Sequence, residues 1–311
     1  MTESTLPVSR FQTLLLREWM QHHRGWLIML GAPLVIAALL LIFGSVHFGD
    51  SEAGPRTSPN PSATALAMIA MVATQGVLLA IAWLMLVLQL TGLARRDQQD
   101  RSIEFWLSLP IGHAQSLSAT LLMHLLVVPC FALAVGLLVG PVMAMLLVIK
   151  VHGVSALWSL PWPSLVLAAA VVALRLALGT ALALLWLSPL LLGAMAASAW
   201  LKRWGLPAMI GGIAMLGLWA EKVYGSRVVW ETLTELLFEA GYAMLSTVAR
   251  GHNFRFDPRD EGSAALGELP AWAGTDALAS LQALASPLLL GALIVAGGCF
   301  MLLILRRQRG A

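Results

Sequence analysis

The feature that most constrains this chain is a series of long apolar runs without charge, such as "GWLIMLGAPLVIAALLLIFGSV" at 25–46. An apolar stretch of eighteen or more residues is long enough, as a helix, to cross the hydrocarbon core of a bilayer. In lipid every backbone polar group must be satisfied within the segment, so such runs fold as helices. The pattern predicts an all-α polytopic membrane protein with six transmembrane helices, at about 25–46, 63–94, 117–149, 164–201, 205–220 and 287–305. Composition agrees: 59% of the 311 residues are hydrophobic and only 11% charged. No soluble domain is built that way. All six spans belong to a single transmembrane domain covering 1–311.

The runs differ in detail. Those at 63–94 and 117–149 exceed one crossing and should tilt or project beyond the bilayer. The fourth, 164–201, carries Arg175 and a Ser188-Pro189 step, which predicts one kinked helix because proline removes a helical hydrogen bond. The fifth is short and glycine-rich. Ahead of the first span, residues 9–24 place Arg10, Arg17, Gln21 and Arg24 on one face and Phe11, Leu15 and Trp19 on another. That is the pattern of an interfacial helix in the headgroup plane. The first apolar run is too long for the core of a signal peptide, and no A-x-A site follows it.

Lysine and arginine set the orientation. Arg10, Arg17 and Arg24 precede span one; Arg95, Arg96 and Arg101 lie between spans two and three. Lys202 and Arg203 separate spans four and five, and Arg306, Arg307 and Arg309 follow span six. The opposite loops hold Arg56, Lys150 and a thinner scatter in 221–286. The positive-inside rule therefore predicts both termini in the cytoplasm and 221–286 as an external helical region. Within it, Val229, Leu233, Leu236, Leu237, Ala240, Met244 and Val248 recur at helical spacing beside Glu231, Glu235 and Glu239. The acidic stripe reads as a solvated face or as a cation-facing substrate entrance.

Charge and motif content exclude several functions. A net charge of +3, with the basic residues beside the spans, gives no nucleic-acid signal. The two cysteines, Cys130 and Cys299, fall inside apolar runs and read as small hydrophobes. A phosphate-binding loop needs G-x-x-x-x-G-K-[ST]. The lysines are Lys150, Lys202 and Lys222, none preceded by glycine. This chain is thus expected to bind no cofactor itself and to lack its own ATPase of that class. An intramembrane metalloprotease would want H-E-x-x-H, which is absent; His22-His23 is the one adjacent histidine pair, and His124 stands alone in span three. No metal site is expected on that reading. An ion-gradient carrier would want carboxylates inside spans, and none lies well inside the six.

Arg175 is the sharpest intramembrane residue, since a charge at that depth is costly and usually faces the bundle interior or a wet path. Its candidate partners are carbonyls, Gln75, Gln89 or a substrate anion; the alternative is an arginine snorkelling to a surface. Gln75, His124 and Arg175 are the candidate residues of a translocation path.

The most structured connector is 95–116, between spans two and three. Ser102 can cap a short helix that stops at Pro110, because the residue before proline is pushed out of the helical region. Ile103, Phe105, Trp106, Leu107 and Leu109 are too apolar to stay wet. Such a helix either lies on the membrane, anchored by Trp106, or plugs into a groove of another protein.

Six spans, an N-terminal interfacial helix, the cytoplasmic "RSIEFWLSLPI" and an external helical insertion before the last span together resemble the ABC-2 type transporter permease family. The resemblance covers nearly the whole chain and implies the membrane-spanning subunit of an ATP-driven exporter. It implies a coupling helix built from Arg101, Ser102, Ile103, Glu104, Phe105, Trp106, Leu107, Ser108, Leu109 and Pro110. Gly112 and His113 stand where the family commonly has a serine followed by a basic residue. The implied partners are a cytoplasmic ABC ATPase carrying ATP and Mg, a second or homologous permease copy, and membrane lipid. The implied location is a bacterial cytoplasmic (inner) membrane. Helices re-entering after span five are also a family feature, which 228–249 resembles.

Overall fold

The computed structural model describes residues 7–45, 61–99, 112–245 and 263–309. The predicted coupling residues Arg101 to Pro110 lie outside the described residues, as does most of the loop after span one. Among the described residues the fold is all-helical, with no strand.

The helices are α1 (Pro7–Phe43), α2 (Ala63–Gln99), α3 (His113–Leu122), α4 (Val128–His152) and α5 (Trp162–Leu201). Then come α6 (Gly205–Tyr224), α7 (Val228–Met244), α8 (Ser263–Gln282) and α9 (Pro287–Arg309). A π-turn, Met123–Val127, joins α3 to α4 without a break. Among the described residues, five segments are long and apolar enough to cross a membrane: Phe11–Phe43, Ala63–Leu90, His113–His152, Trp162–Tyr224 and Pro287–Gln308. The protein is therefore a membrane protein by the length and composition of its helices. Large apolar side chains face outward as freely as inward: Leu138, Leu174, Met215 and Ile294 are each more than 70% exposed. A helix that is apolar all round needs an apolar surrounding, which lipid supplies.

In lipid, burying leucine against leucine gains little over leucine against acyl chain, so close packing and polar contacts hold helices together. Small residues show where that happens. A Cβ on Gly136 of α4 would sit 3.0 Å from the Gln75 Cα of α2, and one on Gly140 would sit 3.3 Å from the Met71 Cα. Four steps forward on α4 match four steps back on α2, so the two run antiparallel with their backbones in near contact. In sequence, the 100–111 segment links Gln99, at the end of α2, to Gly112, at the start of α3, which the π-turn continues into α4.

The centre of the bundle is α5, which packs against α2, α4, α6, α7, α8 and α9. The periphery is α1, where 11% of the most apolar window is buried against 50% for the window in Trp162–Tyr224. That segment of 63 residues holds two helices. The chain reverses at Lys202–Trp204, where Lys202 adopts a φ of 56°. Gly205 then lies against the backbone of Ala197 and Ser198, and Gly193 faces the Met209 sulfur, so α6 folds back along α5.

One sequence expectation changes, and another is met in its described part. Residues 9–24 do not form a separate interfacial helix; they continue unbroken into the first apolar run as α1. Leu14, Glu18 and Trp26 of this part are buried, against α3 and α4 rather than lipid. Nothing between Arg24 and Gly25 stops a helix, because a lone glycine costs only about 1 kcal/mol. The helix within 228–249 is Val228–Met244, with Leu236 and Ala240 buried and Glu231 and Glu235 exposed. It starts just after α6, whose end is sealed by Gly225 at a φ of 64°, with the Gly225 and Ser226 amides bonded to the Glu221 and Ala220 carbonyls. A left-handed residue there is the ordinary glycine termination of a helix.

Candidate functional site

Polar side chains inside an apolar bundle are where function and fold compete, and three such places among the described residues hold the candidate path residues. They contain Arg175, Gln75 and His124, respectively.

Arg175 lies in the first half of α5 and is 3% exposed. Its Nε donates to Asp276 Oδ2 at 2.7 Å, and its Nη2 to the same oxygen and to Ser280 Oγ at 2.6 Å. Both terminal nitrogens donate to the Ala243 carbonyl at 3.2 Å. Ala243 is in the last turn of α7, where orphan carbonyls carry the negative end of the helix dipole, so a buried cation is well placed. Gly179, one turn from Arg175, leaves the room: a Cβ there would meet the Ala243 and Met244 carbonyls and the guanidinium, each within 2.9 Å. Asp276 and Ser280 are one turn apart on α8, and Ser280 Oγ also donates to the Asp276 carbonyl at 3.0 Å. Arg175 thus ties α5, α7 and α8 together.

The carbonyl expected as a partner is Ala243. The carboxylate is the residue that sequence reasoning missed. Asp276 sits in the stretch assigned to the external region, and only the packing of α8 against α5 brings it to the depth of Arg175. The signal available was Asp276 and Ser280 at i and i+4 in the otherwise apolar "TDALASLQALAS".

Gln75 is fully buried on α2 and donates through Nε2 to the Ala169 carbonyl of α5 at 3.0 Å. It lies under Gly136, so one residue marks the contact of α2, α4 and α5. His124 is elsewhere, in the π-turn, with Nδ1 on the Thr120 carbonyl at 3.0 Å. It is not alone. His22 of α1 meets it edge to face at 4.9 Å between centroids, and both rings lie against Trp26. Glu18, one turn before His22, bonds Thr120 from the same side. The three candidate path residues therefore occupy separate contacts instead of one shared polar cluster. Of the acidic stripe, Glu231 and Glu235 face outward.

A cleft of about 220 Å³ opens between α1, α2 and α4, lined by Pro33, Leu34, Ala70, Val77, Met143 and Leu147 among others. Its wall is almost wholly apolar, which suits an acyl chain better than a polar solute.

No family model, curated protein or solved structure matches this chain.

Proposed function

We propose that this chain is the membrane-spanning subunit of an ATP-driven exporter of the ABC-2 permease type, coupled to a separate cytoplasmic ATPase. Counting α5 and α6 as two crossings gives six, and the arginine pattern then puts both termini on the cytoplasmic side. The single observation that carries the reading is the near-contact antiparallel pair of α2 with α4, with "RSIEFWLSLP" in the stretch of sequence between α2 and the α3 helix that runs on into α4. A push on that link would be carried into two stiff helices that lean on α5 at the centre of the bundle. The link has the apolar anchors that a groove on another protein would take: Phe105, Trp106 and Leu109. Missing phosphate-loop residues put ATP and Mg on the partner, and two permease copies facing two ATPases would complete the machine.

The α1–α2–α4 cleft favours an apolar or amphipathic cargo over a small ion. Isolation of the chain from native membranes under mild detergent should bring down a polypeptide with a phosphate-binding loop and ATP-hydrolysing activity. A preparation that recovers the folded chain repeatedly with no such polypeptide would refute the proposal.

A further inference from the structure

The strongest unassigned constellation lies where α1 meets the π-turn. Glu18 and His22 are one turn apart on α1, which puts them on one face. His124 reaches the same spot because the extra residue of a π-turn shifts the ring out of the α-helical register; such turns are frequent at functional sites. One ligand-type atom from each of Glu18, His22 and His124 lies within 4.8 Å of the other two. Glu18 and His124 are 3% exposed, and the His22 side chain keeps 16% of its surface accessible.

The hydrogen bonds around this group are those of a prepared ligand set. His22 Nδ1 sits on the Glu18 carbonyl at 2.9 Å, and His124 Nδ1 on the Thr120 carbonyl at 3.0 Å. A carbonyl can only accept, so each Nδ1 carries the proton and each ring's lone pair is on Nε2. Metal-binding imidazoles are commonly oriented in this way, through the nitrogen that does not bind. Glu18 Oε1 accepts from Arg17 Nη2 at 2.5 Å and from Thr120 Oγ1 at 3.2 Å, and Oε2 lies 3.8 Å from His22 Nδ1. An apolar shell lies beside the group, with Trp26, Leu30, Met123 and Val128 in one cluster and Trp19 and Phe131 against it.

We propose that Glu18, His22 and His124 bind one divalent transition-metal ion of the zinc class, clasping α1 to the π-turn. Two imidazoles and one carboxylate select zinc, cobalt or nickel over magnesium or calcium, which want oxygen. Three protein ligands leave a fourth position for water, on the side where His22 reaches the surface. Ligand atoms sit about 2 Å from zinc, so side-chain rotations must draw the three together by roughly 1 Å. The proposal does not depend on the transport reading.

The test uses the 311-residue chain, purified in detergent through a tag without histidine, stripped by chelator and titrated with Co²⁺ and then Zn²⁺. One equivalent of Co²⁺ per chain should bind with visible d–d absorption, and Zn²⁺ should displace it and raise the thermal midpoint. His124→Gln and Glu18→Gln should each weaken binding by about 100-fold and abolish that thermal shift, since losing a ligand should cost at least as much as the 10–100-fold seen for outer partners. His22→Gln serves as a further variant should one of these fail to fold. His23→Gln should bind like the unmodified chain, since the ligand-type atoms that cluster here come from Glu18, His22 and His124 and not from His23. The proposal is overturned if the chain binds no stoichiometric metal, as a purely hydrogen-bonded Glu–His cluster would. It is equally overturned if binding survives in His124→Gln.

Discussion

A guanidinium withdrawn from water must be partnered on every side or it destabilises the fold around it. Arg175 meets that demand with the Asp276 carboxylate, the Ser280 hydroxyl and the terminal carbonyl of Ala243. Breaking a buried pair by removing one member strands the other charge, at about 3–5 kcal/mol, whereas replacing both by apolar residues is often nearly neutral. Arg175→Leu should therefore lower stability in detergent by about 3–5 kcal/mol, while Arg175→Leu with Asp276→Leu recovers most of the loss. Thermal unfolding of the three proteins in one detergent checks this; a double variant no better than Arg175→Leu would show that the pair is not the unit of stability. Arg175 was legible in the sequence because a charge in an apolar run stands out. Asp276 was not, because its depth is set by how α8 packs against α5. Glu18 was hidden for a related reason. It sits among the charges of 10–24, and only the continuation of α1 along α3 and α4 turns it inward.

At the scale of elements, helix existence and apolar length were legible and boundaries less so. The spans predicted at 63–94 and 117–149 are helices of the expected kind, Ala63–Gln99 and His113–His152, the second with a π-turn that no periodicity announces. The step from α5 to α6 was visible as Lys202-Arg203, yet its tightness comes from Gly205 against Ser198. Gly136 reports on the α2–α4 contact, because the atom it faces is the Gln75 Cα, which cannot rotate away. Overpacking of that kind costs about 1–3 kcal/mol. Gly136→Ala should destabilise the protein by that amount. Gly212→Ala, where a Cβ meets nothing within 4 Å, should leave stability unchanged or slightly raised. Equal melting of the two variants would contradict the close α2–α4 contact.

For the whole molecule, an all-helical bundle with membrane-length apolar helices was legible from hydropathy alone, and many outward-facing side chains are apolar. What holds the bundle together was not legible, because contacts between distant segments leave no local pattern: Arg175 with Asp276, Gln75 with the Ala169 carbonyl, Glu18 with Thr120. The transport proposal adds one contact outside the chain, between the link of α2 to α3 and an ATPase. Buried aromatic anchors dominate such interfaces at about 2 kcal/mol or more each, which is roughly 30-fold in affinity, and rim charges contribute less. The most direct measurement is therefore the amount of ATPase recovered with purified Trp106→Ala and Glu104→Ala chains. The account predicts that Trp106→Ala loses the ATPase while remaining folded and membrane-inserted, and that Glu104→Ala retains most of it. Full recovery of the ATPase with Trp106→Ala would contradict the account and leave 101–110 as a helix that lies on lipid.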